Sequence, residues 1–244
     1  MGRSDRIGEK NRMKKEIIIG ILGGMGPRST PHFLNLVLDE CQKQYAAKYD
    51  QDFPPMIVYS LPTPFFIDRQ IDHKEMEKTV CHGLNKLSST KVSFIVVPCN
   101  SAHLYFKKME QSVDIPLLNI VDETVKRIST REKITLFATS FTFDSQLYQG
   151  KLRQSGFEII WKNTWQRKIN QILSLVKANQ HKEAQKLWDI LLGSVEKEEI
   201  RTIIIACTDL STLKVKSKTL KIVDSSLCLA QATVKEYIKR KGKL

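Results

Sequence analysis

The sequence Phe94-Ile-Val-Val-Pro-Cys99-Asn-Ser101 recurs in pattern as Thr202-Ile-Ile-Ile-Ala-Cys207-Thr-Asp209. Each stretch begins with an apolar run rich in β-branched residues and ends at a cysteine followed by small polar residues, which predicts a buried strand and a turn. Upstream of each stretch, another apolar run leads into a loop of small residues, at 23–27 and at 139–142. The repeat predicts two similar α/β units, each delivering one cysteine to the carboxyl end of a strand, where open α/β sheets bind ligands.

Helical patterns separate the predicted strands along the chain. Strands are expected at 17–22, 56–61, 94–98, 134–138, 158–161 and 202–206. Helices are expected after the first two strands, over 144–155 and within 167–195. Strands that alternate with helices imply parallel sheets covered on both faces. The expected fold class is therefore α/β, with two similar doubly wound parallel sheets related by a pseudo-twofold axis and the active site between them.

The composition is that of a globular protein without disulfides. The 244 residues include 39 Lys and Arg against 26 Asp and Glu, a formal net charge of +13, but no nucleic-acid recognition signature accompanies this charge, so nucleic-acid binding is not expected. The five cysteines have wide spacings and no CxxC pair, which indicates free thiols and excludes the usual zinc patterns. No apolar run reaches the ~20 residues of a membrane helix, and the N-terminus has no signal-peptide pattern, so a cytoplasmic protein without a membrane partner is expected.

Two cysteines in matched positions suit proton transfer at a tetrahedral carbon. The start of a helix after each strand is expected to lower the pKa of the thiol through its backbone N–H groups. The residues that follow the cysteines, all of helix-capping type, are Asn100, Ser101, Thr208 and Asp209. If the two units face each other, one thiolate removes a proton from one face of the carbon and the other thiol returns a proton to the opposite face. The N–H and hydroxyl groups of the loops at 23–26 and 139–142 suit the charge that develops beside a carboxylate. This chemistry is that of a racemase or an epimerase.

Three stretches of the chain resemble the signature motifs of the aspartate/glutamate racemase family. They are Ile19-Gly20-Ile-Leu-Gly-Gly-Met-Gly-Pro27, Pro98-Cys-Asn-Ser-Ala-His103 and Ala206-Cys-Thr-Asp209. They occur in the family's order, and the resemblance spans residues 17–240. It implies two α/β domains with the site between them, two catalytic cysteines, an amino-acid substrate, no cofactor such as pyridoxal phosphate, and a homodimer.

Carried onto this chain, the resemblance makes Cys99 and Cys207 the catalytic pair. The substrate contacts that it implies are Met25, Asn100, Ser101, Thr139, Thr142 and Thr208. Arg69, in the pair Asp68-Arg69, corresponds to an arginine that helps to bind a substrate carboxylate in many aspartate racemases, and bidentate arginine–carboxylate pairing explains that choice. His103 and Asp209 are expected to support the site from behind these contacts. No third ligand accompanies Cys99 and His103, so no metal site is expected.

The motifs differ from the family's usual pattern at three places. Ser101 stands where the family usually has threonine, which keeps the hydroxyl. Ala206-Cys-Thr-Asp209 stands where it usually has Gly-Cys-Thr-Glu, and Gln166 stands where aspartate racemases often have a lysine at the start of a helix. These differences bear on aspartate specificity more than on racemisation.

The resemblance also implies a division of the chain. Residues 17–125 and 226–241 are expected to form the first domain, residues 126–225 the second, and residues 1–16 a disordered leader or an expression remnant. The predicted function is a cofactor-independent racemase of aspartate or glutamate. The alternatives left open are another reaction of the superfamily (hydantoin racemisation, maleate isomerisation or malonate decarboxylation), a catalytically silent dicarboxylate-binding protein, and an anion or nucleic-acid binder that uses the basic C-terminal region.

Overall fold

The computed structural model describes residues 16–66, 69–128 and 133–242. Residues 1–15 of the expected leader and Asp68 lie outside the described residues. The first sheet contains the strands β1 (Ile19–Gly23), β2 (Met56–Ser60), β3 (Phe94–Val96) and β4 (Leu117–Leu118). They are all parallel and lie in the order β2-β1-β3-β4.

The second sheet repeats this arrangement. Its strands are β5 (Ile134–Ala138), β6 (Thr202–Ala206) and β7 (Lys221–Asp224), which are parallel and lie in the order β5-β6-β7. Where a strand was expected at 158–161, Ile159 forms a single parallel bridge to Ile134, on the edge of β5 away from β6. With this bridge in the place of β2, the two sheets have the same strand order, and the predicted α/β fold with two parallel sheets is confirmed.

Helices cover the faces of both sheets. They are α1 (Ser29–Tyr45), α2 (His73–Ser88), α3 (Phe106–Ser112), α4 (Ile120–Val125), α5 (Ser140–Asp144), α6 (Gln149–Gln154), α7 (Asn163–Lys177), α8 (His181–Glu196) and α9 (Ser225–Lys241). β1, β5 and β6 are buried along their whole length, as expected for parallel strands covered on both faces. Among the helices of the described ranges, none is long and apolar enough to cross a bilayer.

The expectation of one helix over 144–155 is wrong. The chain instead forms the short helices α5 and α6, separated by a turn. Gln146, in this turn, has a φ of 57°, in the left-handed region that a continuous right-handed helix excludes. The break shortens the helix after β5 to five residues and allows Tyr148 to be completely buried.

The last helix connects the two sheets. α9 begins directly after β7 of the second sheet and packs along α1 and α4, which cover the first. Most of its buried apolar residues belong to one cluster that also includes Ile21 of β1, Leu136 of β5 and Ile204 of β6. The core is therefore continuous from one sheet to the other.

Candidate active site

A cavity of about 240 Å³ is lined by both cysteines that follow the repeated strands. Cys99 lies three residues after β3 and Cys207 directly after β6, and their exposed fractions are 9% and 8%. Pockets for drug-sized ligands measure ~300–1,000 Å³, so this volume suits a molecule the size of an amino acid. The other predicted site residues that line the cavity are Met25, Asn100, Ser101, Thr139, Thr208 and Asp209.

The chain turns after each cysteine in a short 3₁₀ helix, Ser101–Tyr105 in one unit and Leu210–Thr212 in the other. Asn100 and Asp209 hold the N-cap positions of these turns without the expected side-chain capping hydrogen bonds, and after Tyr105 the chain continues directly into α3. Backbone N–H groups of each turn do hydrogen-bond the preceding cysteine. The polar side chains are thus left to make contacts across the site.

The expectation of lowered thiol pKa values is wrong. Burial raises the pKa of the Cys99 thiol to about 11 and the pKa of the Cys207 thiol to about 12, and the nearby Asp209 carboxylate acts in the same direction. The backbone N–H groups and the Lys177 ammonium oppose this increase without overcoming it. A 3₁₀ turn offers too few aligned N–H groups to offset the loss of solvation. With these pKa values, both thiols hold their protons at neutral pH.

Lys177 is a cavity residue that the sequence analysis missed. Its ammonium lies 3.0 Å from Oδ2 of Asp209, with 33% of the lysine side chain and 8% of the aspartate side chain exposed. Burial alone would lower the pKa of Lys177, but the Asp209 carboxylate more than compensates and raises it. Gly26 permits the carboxylate to sit here, since a Cβ at this residue would lie 2.9 Å from Oδ1 of Asp209.

A periodic signal in α7 could have identified Lys177. One face of this amphipathic helix contains residues spaced three or four apart, and three of the four are polar. They are Gln166, Asn170, Leu173 and Lys177. Gln166, the position compared with the family's lysine, is buried and donates to the Ala138 carbonyl over 3.1 Å. The lysine that lines the cavity with the thiols thus comes from the end of α7, three turns after Gln166.

Three buried hydroxyl groups join the two units beside the thiols. Ser101 Oγ lies 2.8 Å from Thr142 Oγ1 and 3.4 Å from Thr139 Oγ1. Thr139 also accepts a hydrogen bond of 3.1 Å from the backbone N–H of Thr142 and so caps α5. Thr142 does not line the cavity, and it reaches the site through these two neighbours. The serine at 101 therefore retains a hydroxyl contact across the units.

Asn100 is held by two partners from outside its own unit. Its Oδ1 accepts a hydrogen bond of 2.5 Å from the Tyr148 hydroxyl, and its Nδ2 donates to Ser225 Oγ over 2.9 Å. On the opposite side, Thr208 Oγ1 lies 3.2 Å from Ser29 Oγ at the start of α1. The polar side chains of the site are thus fixed by contacts between distant parts of the chain.

His103 lies behind Cys99 and does not line the cavity. Its Nε2 accepts a hydrogen bond of 3.2 Å from the Ile120 N–H, so the ring proton is assigned to Nδ1, which lies 2.8 Å from the Cys99 carbonyl oxygen. Burial lowers the pKa of His103 to about 4, which keeps the ring neutral. His103 thus links the turn that carries Cys99 to the start of α4.

Arg69 does not line the cavity that holds the thiols. Its guanidinium lies 4.5 Å from the centre of the Phe66 ring, and it lines a neighbouring cavity instead. Within the described ranges of the chain, no three His, Cys, Asp or Glu side chains cluster so as to hold a metal ion. Among the described residues, the ionisable side chains that line the cavity with the thiols are the two cysteines themselves and the lysine–aspartate pair.

Comparison with known proteins agrees with this architecture. The chain matches the model of the Asp/Glu/Hydantoin racemase family over residues 22–233. It is 43% identical over 225 residues to the broad specificity amino-acid racemase RacX of Bacillus subtilis (strain 168), which covers 91% of this chain and 98% of that protein.

Solved structures of racemases share the fold. The aspartate racemase of Picrophilus torridus is 25% identical and has a TM-score of 0.77, with 90% of this chain and 94% of that chain covered. Glutamate racemase isoform RacE1 of Bacillus anthracis has a TM-score of 0.63 at 16% identity, with coverages of 94% and 84%, which shows the fold alone.

Proposed function

Because the chain belongs to the Asp/Glu/hydantoin racemase family, we propose that it racemises amino acids by two-base proton transfer between Cys99 and Cys207. The observation that carries this proposal is that both thiols line one cavity, each at the end of a corresponding strand of its own sheet. Family members are isomerases that work without pyridoxal phosphate. The α-proton must therefore be removed by side chains of the protein.

The reaction starts from the form of the pair that has lost one proton. The thiolate takes the proton from Cα on one face, and the bonding electrons stay on the substrate as a carbanion delocalised into its carboxylate. The opposite thiol then gives its proton to the other face of Cα, so its sulfur becomes the thiolate. The enantiomer has formed, the cysteines have exchanged states, and the reverse reaction starts from this exchanged form.

The substrate carboxylate is expected to lie among the N–H and hydroxyl groups of the cavity. The contacts proposed for the substrate are Met25, Asn100, Ser101, Thr139 and Thr208, with Thr142 acting through Ser101. Hydroxyl and amide donors that are already hydrogen-bonded in place need little reorganisation as negative charge develops. Arg69 is proposed to contact only a substrate group that extends beyond this cavity, since it lines the neighbouring one.

The charge of the cavity supports a broad substrate range rather than aspartate or glutamate alone. Lys177 offers a cation to an acidic side chain, but Asp209 already neutralises it at 3.0 Å. An acidic substrate must compete with Asp209 for the ammonium, whereas an uncharged side chain leaves the pair intact. Aspartate and glutamate therefore belong in a panel of acidic, neutral and basic amino acids. The broad specificity named for the 43% identical relative agrees with this view.

The test is Cα–H exchange followed by proton NMR in D₂O, with separate L and D enantiomers and no added pyridoxal phosphate. We expect loss of the Cα signal together with formation of the other enantiomer. Cys99→Ala and Cys207→Ala should each lower the racemisation rate by ~10²–10⁴-fold, because each removes one of two essential proton carriers. Each variant retains one thiol, so residual exchange should be confined to one enantiomer, and to opposite enantiomers in the two variants.

Cys81→Ala is the matched control, since Cys81 is a half-buried thiol on α2 that does not line the cavity. It should racemise at the wild-type rate. Normal racemisation by both Cys99→Ala and Cys207→Ala would refute the mechanism. Calorimetric binding of a dicarboxylate without exchange at Cα would favour a silent binding protein instead.

A further inference from the structure

A second cavity of about 230 Å³ adjoins the cavity that holds the thiols. Phe65 and Thr139 line both cavities. Phe65 follows β2 in the first unit, and Thr139 follows β5 in the second. Each unit therefore contributes one residue to the boundary between the cavities.

Phe65, which lines both cavities, contacts Phe141, which lines the second cavity. The rings of Phe65 and Phe141 meet edge to face, with their centres 6.1 Å apart. Phe141 is supported from the other side by the ring of His73, at 5.4 Å, and the Lys177 ammonium lies 5.7 Å from the centre of the Phe65 ring. Phe65 thus contacts both Lys177, which lines the cavity that holds the thiols, and Phe141, which lines the second cavity.

The far wall of the second cavity is polar. Asn170 Nδ2 donates to Ser140 Oγ over 3.0 Å, and Asn170 Oδ1 accepts from Gln166 Nε2 over 3.0 Å. Among the described residues that line this cavity, Arg69 is a cation and none is Asp or Glu. A hydroxyl, an amide and a guanidinium can bind an amide or a carboxylate, whereas an ammonium would find no anionic partner among these residues.

We infer that the second cavity receives the far end of substrate side chains longer than that of aspartate, and that the Phe65–Phe141 pair sets the length at which this entry begins. The inference rests on the proposed racemase function. A short side chain fits within about 240 Å³ beside the thiols. A longer chain that ends in an amide or a carboxylate must pass the two rings, and it then reaches Ser140 and Asn170. The Phe65–Phe141 pair is accordingly a specificity determinant and not part of the proton transfer.

The test compares alanine with 2-aminoadipate, which differ in length but share the reacting centre. Phe65→Ala and Phe141→Ala each remove one ring of the Phe65–Phe141 pair. Each should raise the ratio of kcat/KM for 2-aminoadipate to kcat/KM for alanine by about tenfold or more, the range over which pockets discriminate single methylene groups. Ser140→Leu fills the second cavity and removes a polar partner, so it should change the same ratio in the opposite direction.

Phe143→Ala is the matched control. Phe143 is a half-buried phenylalanine on the same short helix as Phe141, but its ring stacks on Trp161 and lines neither cavity. This variant should leave the ratio unchanged. The inference is overturned if Phe65→Ala, Phe141→Ala and Ser140→Leu all keep the wild-type ratio within a factor of two.

Equilibrium binding separates this inference from the proposed function. The ratio of Kd values for the two amino acids, measured by calorimetry on the same proteins, should change in the same direction as the kinetic ratio. If the wild-type protein binds both ligands but racemises neither, the proposed function fails. The Kd ratio then still tests whether the Phe65–Phe141 pair selects ligands by length. If racemisation proceeds and neither ratio responds to the three variants, only the inference about the second cavity is wrong.

Discussion

Burial raises the pKa values of Cys99 and Cys207, and few contacts act against this increase. Both thiols are more than nine-tenths buried, and Asp209 adds a negative charge that raises their pKa values further. Lys177 is the charge that acts in the opposite direction, but Asp209 holds it at 3.0 Å. The position of this one carboxylate therefore affects both thiols at once.

Asp209→Asn is expected to lower the pKa of both thiols. The substitution removes the negative charge and leaves the Lys177 ammonium without its partner, and a charge at this range moves a pKa by about 1 to 3. Alkylation depends on the thiolate, so the rate with iodoacetamide at pH 8 should rise about tenfold or more at both cysteines. The rate is measured by mass spectrometry of the two cysteine peptides.

Asp189→Asn is a suitable control for this measurement. Asp189 also pairs with a lysine, Lys216, at 3.1 Å, but the pair is exposed and does not line the catalytic cavity. Its removal should leave both alkylation rates unchanged. Unchanged or slower alkylation of Cys99 and Cys207 in Asp209→Asn would show that Asp209 does not control the thiols.

Individual side chains divide into those that a sequence motif predicts and those that only folding brings together. Cys99, Asn100 and Ser101 are neighbours in sequence, so one motif predicts all three, and the structure brings them into the cavity. Lys177 lies far along the chain from both cysteines and on a helix whose rotation the motif does not determine. Its place beside Asp209 depends on how α7 packs on β5, which no local pattern encodes.

At the scale of elements, the long periodic segments were predictable and the short ones were not. The apolar runs of β1, β5 and β6 need burial on both faces, and their composition alone indicates this. β4 has two residues, and β7 contains a lysine and an aspartate, so neither shows a period. The 3₁₀ turns after the cysteines contain residues that also begin α-helices, and the difference lies in tertiary contacts rather than in propensity.

One such tertiary contact is made by His103, whose ring forms hydrogen bonds to two different parts of the chain. The neutral ring joins the Cys99 carbonyl, three residues after β3, to the first N–H of α4. Burial lowers the pKa of His103 to about 4 in the folded protein, whereas an unfolded histidine titrates near 6.5. As the pH falls below about 6.5, this histidine therefore takes up a proton in the unfolded state but not in the folded state. Proton uptake stabilises the unfolded state, so the free energy of unfolding decreases.

We expect the wild-type protein to lose about 2 kcal/mol of unfolding free energy through His103 between pH 7 and pH 5. His103→Gln should be less stable at pH 7, because the ring contacts are lost, but its stability should vary less with pH over this interval. Urea denaturation at both pH values measures the difference. His82→Gln, at an exposed histidine on α2, should keep the wild-type pH dependence. If His103→Gln has the same pH dependence of stability as the wild-type protein, His103 is not its cause.

At the scale of the whole molecule, the two sheets share one core. The repeat in the sequence predicts two units, and the equal strand orders agree with it. α9 packs on α1 and α4, and the division of the chain into 17–125 with 226–241 and 126–225 stays a prediction. What the repeat did not predict is that the buried cluster around α9 continues into β5 and β6. Continuity of this kind depends on how the units pack together, and a pattern within each unit carries no information about it.

A continuous core predicts that the two units unfold together. All three tryptophans, Trp161, Trp165 and Trp188, lie in the second unit, so their fluorescence reports on that unit alone. Leu229 is fully buried on α9. Leu229→Ala should cost about 2–5 kcal/mol of unfolding free energy, the usual range for a buried leucine. If the core is shared, urea transitions followed by tryptophan fluorescence and by circular dichroism should coincide and should shift to lower urea by the same amount.

The exposed residue Ile190, on α8, provides the control, because Ile190→Ala removes a side chain that is 56% exposed and should change stability by no more than about 0.5 kcal/mol. Two independent domains would give a different result for Leu229→Ala: the tryptophan transition would stay in place while the circular dichroism signal separated into two steps. Such a result would mean that α9 stabilises the first unit alone. A common shift would instead mean that the cavity between the two cysteines is held together by the same cooperative core that folds both sheets, so that its geometry persists as long as the protein stays folded.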